Sequence, residues 1–295
     1  MIPTATCVRG LMGSSALQTD KAPTPELTDD DVDAVLAGGA LTLVGRLAGA
    51  SNASFFGQVE LDAVALPCIY KPVAGERPLW DFADGTLAGR ESAARLVSEA
   101  GGWHVVPPTV LRDGQFGPGM CQRWIDESAQ QLALVDVVDA AFDEPGWMAV
   151  LEAEDAGGRP VLLVHADDER LRDLAVFDAV INNADRKGGH VLLADGPAGE
   201  AGRRLWGCDH GVSFHVDPKL RTILWGWANE PLRPRDLESL IRLVGALDNG
   251  LEDQLASRLT RPELAALRAR IDVLVGSAEM PVPAGSWPAI PWPPI

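Results

Sequence analysis

The spacing of apolar residues divides the chain into short stretches of two kinds. Thr28 followed by Asp29, Asp30 and Asp31 reads as a helix N-cap with acids in the first turn, closed by Gly38-Gly39. Residues 41–47, 55–61 and 65–71 alternate like strands, with a small polar loop (49–54) and a turn (62–64) between them. Thr86 caps a helix running to Ala100 and stopped by Gly101-Gly102. Residues 105–111 and 119–125 bracket a Gly/Pro-rich turn and read as two further strands. After Asp126 the pattern becomes helical and acidic. Leu171, Leu174, Phe177 and Ile181 make residues 168–182 an amphipathic helix. Residues 191–193 and 204–207 suit a short buried hairpin, and 236–275 is helical, with Thr260, Pro262 and Glu263 forming a capping box. The ending, SWPAIPWPPI, predicts extended backbone.

This order predicts an α+β architecture of two lobes. A flexible arm (1–27) precedes a β-rich N-lobe (28–122), a mostly helical C-lobe (123–277) and a Pro/Trp-rich tail (278–295), with a ligand cleft expected between the lobes. With 295 residues, 46% hydrophobic and 23% charged, the chain can bury a sizeable core. Asp+Glu 42 against Lys+Arg 25 gives a net charge of −17, which repels phosphate backbones and anionic lipid surfaces. Neither nucleic-acid binding nor membrane docking is expected. No apolar run approaches the roughly 18 residues of a spanning helix, and the N-terminus has no long apolar stretch of a secretory signal. Cys7, Cys68, Cys121 and Cys208 are widely spaced, which fits a reduced, cytoplasmic setting.

Charge then singles out a few positions. Only four basic residues are lysines, namely Lys21, Lys71, Lys187 and Lys219. The segment Asn182-Asn183-Ala184-Asp185-Arg186-Lys187-Gly188-Gly189-His190 crowds a carboxylate, two cations and an imidazole onto one loop between a helix and a strand. Cys208-Asp209-His210-Gly211 follows the second strand of the expected hairpin. Pairing of that hairpin brings Asp185, His190 and Asp209 together, the donor set of a divalent cation on a phosphate. Lys71, in a half-buried strand, needs an anionic partner, and Glu91 on the following helix is a candidate. Ser51, Asn52 and Ser54 in the small-residue loop offer hydroxyl, amide and backbone donors to phosphates. Trp225-Gly226-Trp227 reads as packing, and His104, His165 and His215 as structural or solvated.

Loop, strand Lys, helix Glu, Asp-Arg-x-x-x-His and Asp-x-Gly, in that order, resemble the protein-kinase-like superfamily. The nearest branches are the phosphatidylinositol 3-/4-kinases and the HipA-like and Fam20-like atypical kinases. The stretch 45–227 is similar to an actinobacterial phosphatidylinositol 3-/4-kinase-like group, through the words KPVAGERPLWDF, GRESAA and NNADRKGGH. The resemblance implies a two-lobed kinase-like fold and ATP with Mg²⁺ or Mn²⁺ as cofactors. Lys71 would hold the α- and β-phosphates with Glu91 orienting it, Asp185 would take the acceptor proton, and Lys187 would neutralise the transferring phosphate. Asp209 and His190 would bind the metal, and the segment from Gln122 to Ile125, with Trp124 in it, would read adenine through backbone groups. His190 stands where the family has Asn, and an imidazole suits Mn²⁺ or Zn²⁺ better than Mg²⁺; Asn182 or Asn183 can substitute. His210 replaces the Phe of the family's Asp-Phe-Gly. Three activities fit: an ATP-dependent phosphotransferase on a protein or small-molecule hydroxyl, with AMP transfer as a variant; a nucleotide-binding pseudokinase; and a metal-dependent hydrolase using Asp185, His190, Asp209 and His210.

Overall fold

The computed structural model describes residues 27–127, 134–196, 199–285 and 287–295. The expected arm lies outside them except for Leu27, as does Ser286 of the tail. The chain divides into two compact units, one formed by the stretch ending at Arg77 together with Pro108–Trp124, the other by Pro78–Pro107 and Ile125–Ile295.

In the first unit, helix α1 (Asp29–Gly38) starts at a reciprocal cap. Thr28 Oγ1 accepts the Asp31 N–H, and the Asp31 carboxylate accepts the Thr28 N–H at 2.9 Å. Gly39 ends it because a Cβ there would lie 2.6 Å from Val59 and 2.7 Å from the Glu60 carbonyl. Five antiparallel strands follow: β1 (Ala40–Arg46), β2 (Phe55–Leu61), β3 (Val64–Pro72), β4 (Thr109–Gly114) and β5 (Gly117–Arg123). Their spatial order is β1-β2-β3-β5-β4. One sheet face buries Val59, Leu66, Cys68 and Cys121 against Val32, Val35 and Leu36 of α1. Along β3, Leu66, Cys68, Tyr70 and Pro72 are buried and alternate with half-buried Pro67, Ile69 and Lys71, so Lys71 lies on the other face. The strands β4 and β5 reach further into the Gly/Pro-rich turn than the sequence suggests, closing at Gly114 opposite Gly117. Pro107 and Pro108 lack the N–H groups that an earlier start would need.

In the second unit, α2 (Leu87–Gly101) is capped by Thr86 and ends at left-handed Gly102. A three-stranded antiparallel sheet comes next: β6 (Val135–Asp139), β7 (Trp147–Glu154) and β8 (Pro160–Ala166), in the order β6-β8-β7. This corrects the expectation of acidic helix after Asp126. The acids fall largely on exposed positions of β6 and β7, while Val161–Val164 carry the apolar content of β8. Asp155 Oδ1 accepts the Gly157 and Arg159 N–H groups and turns β7 into β8. Helix α3 (Glu169–Ile181), the hairpin β9 (Val191–Gly196) and β10 (Gly199–Gly207), and helices α4 (Pro234–Ala246), α5 (Glu252–Leu255) and α6 (Arg261–Ser277) complete the unit. Leu171, Leu174, Phe177 and Ile181 of α3 share one core with Leu240, Leu243, Leu267 and Ile271. Glu263 serves two elements at once. Its Oε2 accepts the Thr260 N–H at 2.8 Å to cap α6, and its Oε1 takes buried Arg90 of α2 at 2.6 Å. No helix among the described residues is long and apolar enough to cross a membrane.

Candidate functional site

The loop after α3 is organised by a charge that never meets water. Arg186 and Asp178 are both fully buried; Nε donates to Asp178 Oδ2 at 2.7 Å and Nη2 to Oδ1 at 2.9 Å. Burial opposes the Arg186 charge, and Asp178 more than offsets it, so the guanidinium stays cationic. Arg186 Nη1 donates to the carbonyls of His190 (3.2 Å) and Cys208 (2.9 Å). Its Nη2 also lies 2.7 Å from His210 Nε2. Arginine can only donate, so His210 Nε2 accepts and the ring proton belongs on Nδ1. Gly207 makes room for this arrangement, since a Cβ there would lie 3.0 Å from Arg186 Nη2. One guanidinium therefore clamps the segment after α3 to the segment after β10. The β9–β10 pairing, Leu193 opposite Leu205 and Val191 opposite Gly207, sets the register. The sequence had predicted that pairing.

The clamp presents the chemistry-bearing side chains. Asp185 receives order from Asn183, whose Oδ1 accepts the Asp185 N–H at 3.0 Å while its Nδ2 donates to Asp178. The Asp185 carboxylate stays partly exposed, with Lys187 Nζ at 3.1 Å. Asp209 adopts a left-handed backbone with φ of 57°, a costly state for a residue with a Cβ, and its Oδ2 lies 3.5 Å from His190 Nε2. Burial pushes the His190 imidazole below its usual value, with Asp209 opposing, and the buried Nδ1 has no hydrogen-bond partner. Glu91 is buried on α2, and its Oε2 accepts the His210 N–H at 2.9 Å. Asp185, Lys187, His190, Asp209 and Glu91 thus all belong to the second unit. Among the described residues no three His, Cys, Asp or Glu side chains group to hold a metal ion. Asn182 and Asn183, considered above as replacement ligands, are buried and engaged. Asn182 Nδ2 donates to the carbonyls of His215 and Asp217, and its Oδ1 accepts the Lys219 N–H.

The other predicted residues lie in the first unit. Lys71 is half-buried on β3 opposite Met120. In the small-residue loop Ser51 is exposed, Asn52 Oδ1 accepts the Arg77 N–H at 2.8 Å, and Ser54 is buried with its Oγ 3.5 Å from the Asn52 carbonyl. Gln122 on β5 is buried, its Nε2 donating to Thr109 Oγ1 at 2.8 Å. Trp124 follows β5 and packs edge-on against Phe56.

Two features escaped the sequence reading. Asp178 falls on the apolar stripe of α3, between Leu174 and Ile181, and a carboxylate there signals a buried partner. Lys219, in sequence only one of the four lysines and given no role, is buried, its Nζ 2.8 Å from Asp81 and 4.1 Å from the Trp287 ring. Cys68, Cys121 and Cys208 form no disulfide.

Over 273 residues, 90% of this chain and 95% of the relative, the sequence is 48% identical to Protein Rv2133c of Mycobacterium tuberculosis (strain ATCC 25618 / H37Rv). No family model matches it. The crystal structure of the Golgi casein kinase aligns with 85% of this chain and 74% of its own, at a TM-score of 0.51 and 14% identity. The same kinase with Mn/ADP bound aligns with 85% of this chain and 75% of its own, at 0.53 and 14%. The chain thus has an α+β, protein-kinase-like fold.

Proposed function

We propose that this chain, which belongs to the family of Protein Rv2133c, is an ATP-dependent phosphotransferase acting on a hydroxyl of a protein or small molecule. The observation that carries the reading is the Arg186 clamp: it draws the Asp185 and Asp209 segments together in a chain with the fold of a kinase. Phosphoryl transfer needs little covalent chemistry from a protein, so positioned charges suffice.

ATP with a divalent cation supplies the transferable phosphoryl group and neutralises its oxygens. Asp185 takes the proton of the acceptor hydroxyl as its oxygen bonds to the γ-phosphorus and the bond to ADP breaks. Lys187, 3.1 Å from Asp185, pairs with that carboxylate and faces the developing negative charge. Asp209 and His190, 3.5 Å apart, are the residues that would hold the divalent cation, and this mixed donor pair would favour Mn²⁺. On this reading Lys71 would hold the α- and β-phosphates, Ser51, Asn52 and Ser54 would line the phosphate loop, and the segment from Gln122 to Ile125 would read adenine through its backbone, while Glu91 holds the His210 amide. The reading includes a cytoplasmic location.

The test is thermal stabilisation and turnover across a Mg²⁺/Mn²⁺ series. ATP should stabilise the wild type only with a divalent cation, Asp209→Ala should lose that metal dependence, and Asp185→Ala should bind nucleotide while turnover drops at least about 100-fold. Absence of any ATP-dependent shift with every cation defeats the proposal. A second reading, a nucleotide-binding pseudokinase, is favoured by half-buried His190, which stands beside Asp209 where the family has a metal-binding Asn. It requires the same stabilisation in wild type and Asp185→Ala with turnover in neither.

A further inference from the structure

The tail residues 287–295 do not hang free. Residues 183–186 of the candidate catalytic loop are flanked by residues 221–223: Arg221 N–H donates to the Asn183 carbonyl (2.9 Å), Arg186 N–H to the Arg221 carbonyl (3.0 Å) and Ile223 N–H to the Arg186 carbonyl (3.2 Å). The tail lies along this short ladder. Thr222 N–H donates to the Ala289 carbonyl at 3.0 Å and Trp225 Nε1 to the same oxygen at 2.9 Å. Arg221 reaches the carbonyls of Pro288 (3.1 Å) and Ile290 (3.3 Å). Further on, Gly188 N–H, in the loop itself, donates to the Pro294 carbonyl at 2.8 Å. A Cβ on Gly188 would meet the Ile295 side chain at 3.3 Å. Ile290 packs against the core, whereas Trp292 is 70% exposed.

Each of the five bonds that Gly188, Arg221, Thr222 and Trp225 make to the tail ends on a tail carbonyl, and the prolines of WPAIPWPPI have no N–H to offer in return. This is how a protein reads an extended, proline-rich peptide: donors from the groove, carbonyls from a backbone already held in one conformation. The segment also has no Ser, Thr or Tyr, so it lies on the loop of Asp185 without presenting a hydroxyl that could be phosphorylated.

We propose that the groove along Gly188, Arg221, Thr222 and Trp225 is the acceptor-peptide groove of the site, and that residues 287–295 fill it in cis and gate it. The acceptor assignment rests on the phosphotransferase reading; the peptide groove itself does not. The probe is the synthetic nonapeptide WPAIPWPPI, offered to the full chain and to a chain ending at Gly285. The shortened chain should bind it with one-to-one stoichiometry and the full chain at least about tenfold more weakly. Amide exchange at Gly188 should quicken about tenfold on shortening and slow again with the nonapeptide. Full-length Arg221→Gln keeps the tail yet loses its two side-chain bonds, so exchange at Gly188 should quicken there too, which serves if the shortened chain does not fold. Unchanged exchange in Arg221→Gln, or a folded shortened chain that ignores the nonapeptide, overturns the groove. A nonapeptide copy with serine for Pro293 should be phosphorylated by the shortened chain and not by the full one. If ATP is turned over but this bound copy is not phosphorylated, the acceptor assignment fails. If no form binds ATP, the phosphotransferase reading fails while the groove result still stands.

Discussion

Two acid–base pairs meet at the loop after α3 and are built in opposite ways. Asp178 and Arg186 have side chains 0% exposed, and every contact of the guanidinium is to a fixed acceptor. Asp185 and Lys187 are 31% and 23% exposed, with one direct contact of 3.1 Å between them. Taking two charges out of water costs several kcal/mol each, which only good geometry and further hydrogen bonds offset. A pair so satisfied has no capacity left for a ligand. The half-exposed pair contributes about 0–1 kcal/mol to stability, and its oxygen and ammonium can exchange partners during a reaction. Arg186, which holds shape, thus stands in sequence directly between Asp185 and Lys187, the pair proposed for chemistry.

The comparison breaks most visibly at Arg186. Arg186→Ala leaves Asp178 buried and unpaired and should cost about 3–5 kcal/mol in urea unfolding, whereas replacing both residues by Asp178→Leu with Arg186→Met should recover part of that loss. If Arg186→Ala costs under 1 kcal/mol, the clamp is not a buried ion pair. Asp185→Asn should reverse the balance: unfolding free energy changes by less than about 1 kcal/mol, while ATP turnover falls at least about 100-fold. Asp209→Gly sharpens the contrast further. Relief of its left-handed backbone should raise stability by about 0.4–1 kcal/mol, measured by thermal unfolding, while the metal-dependent response to ATP disappears.

The smallest effect separates a structural histidine from a reactive one. Buried His165 accepts the Gly226 N–H on Nε2 at 3.1 Å, and its Nδ1 lies 2.9 Å from the Ala166 carbonyl. Burial holds its imidazole below the usual value. The unfolded chain therefore takes up a proton as pH falls through about 6.5, before the folded one does. The contribution of His165 is complete above that pH and declines below it. Unfolding free energies at pH 7.5 and 5.5 should differ more in wild type than in His165→Gln; equal differences would show that His165 does not carry the slope.

Legibility followed the range of the interaction. The caps at Thr28, Thr86 and Thr260 were visible because each is closed by a residue three positions away. The alternation of β2 and β3 and the apolar runs of β9 and β10 were visible for the same reason. Where acids alternate with apolar residues, as in β6 and β7, local composition suggested helix, and pairing with β8 decided otherwise. Asp185, Lys187, His190 and Asp209 could be named as candidates because charge on a short loop is conspicuous. Their supports could not be named as such: the partner of Asp178 lies outside its helix, and Asn183 reads in sequence as a replacement metal ligand, whereas it orders the Asp185 backbone.

The amino-acid sequence alone determined the capped helices, the strands β2 and β3 and the hairpin that carries Asp209 back toward His190, because caps, turns and strand alternation are settled within a few residues. Tertiary structure alone decided that one guanidinium would bind Asp178, two carbonyls and His210, that Glu91 would hold the His210 amide, and that the proline-rich tail would lie on the Gly188 loop. Those contacts join residues far apart in the chain, and their energy exists only once water has been excluded from between the faces that meet.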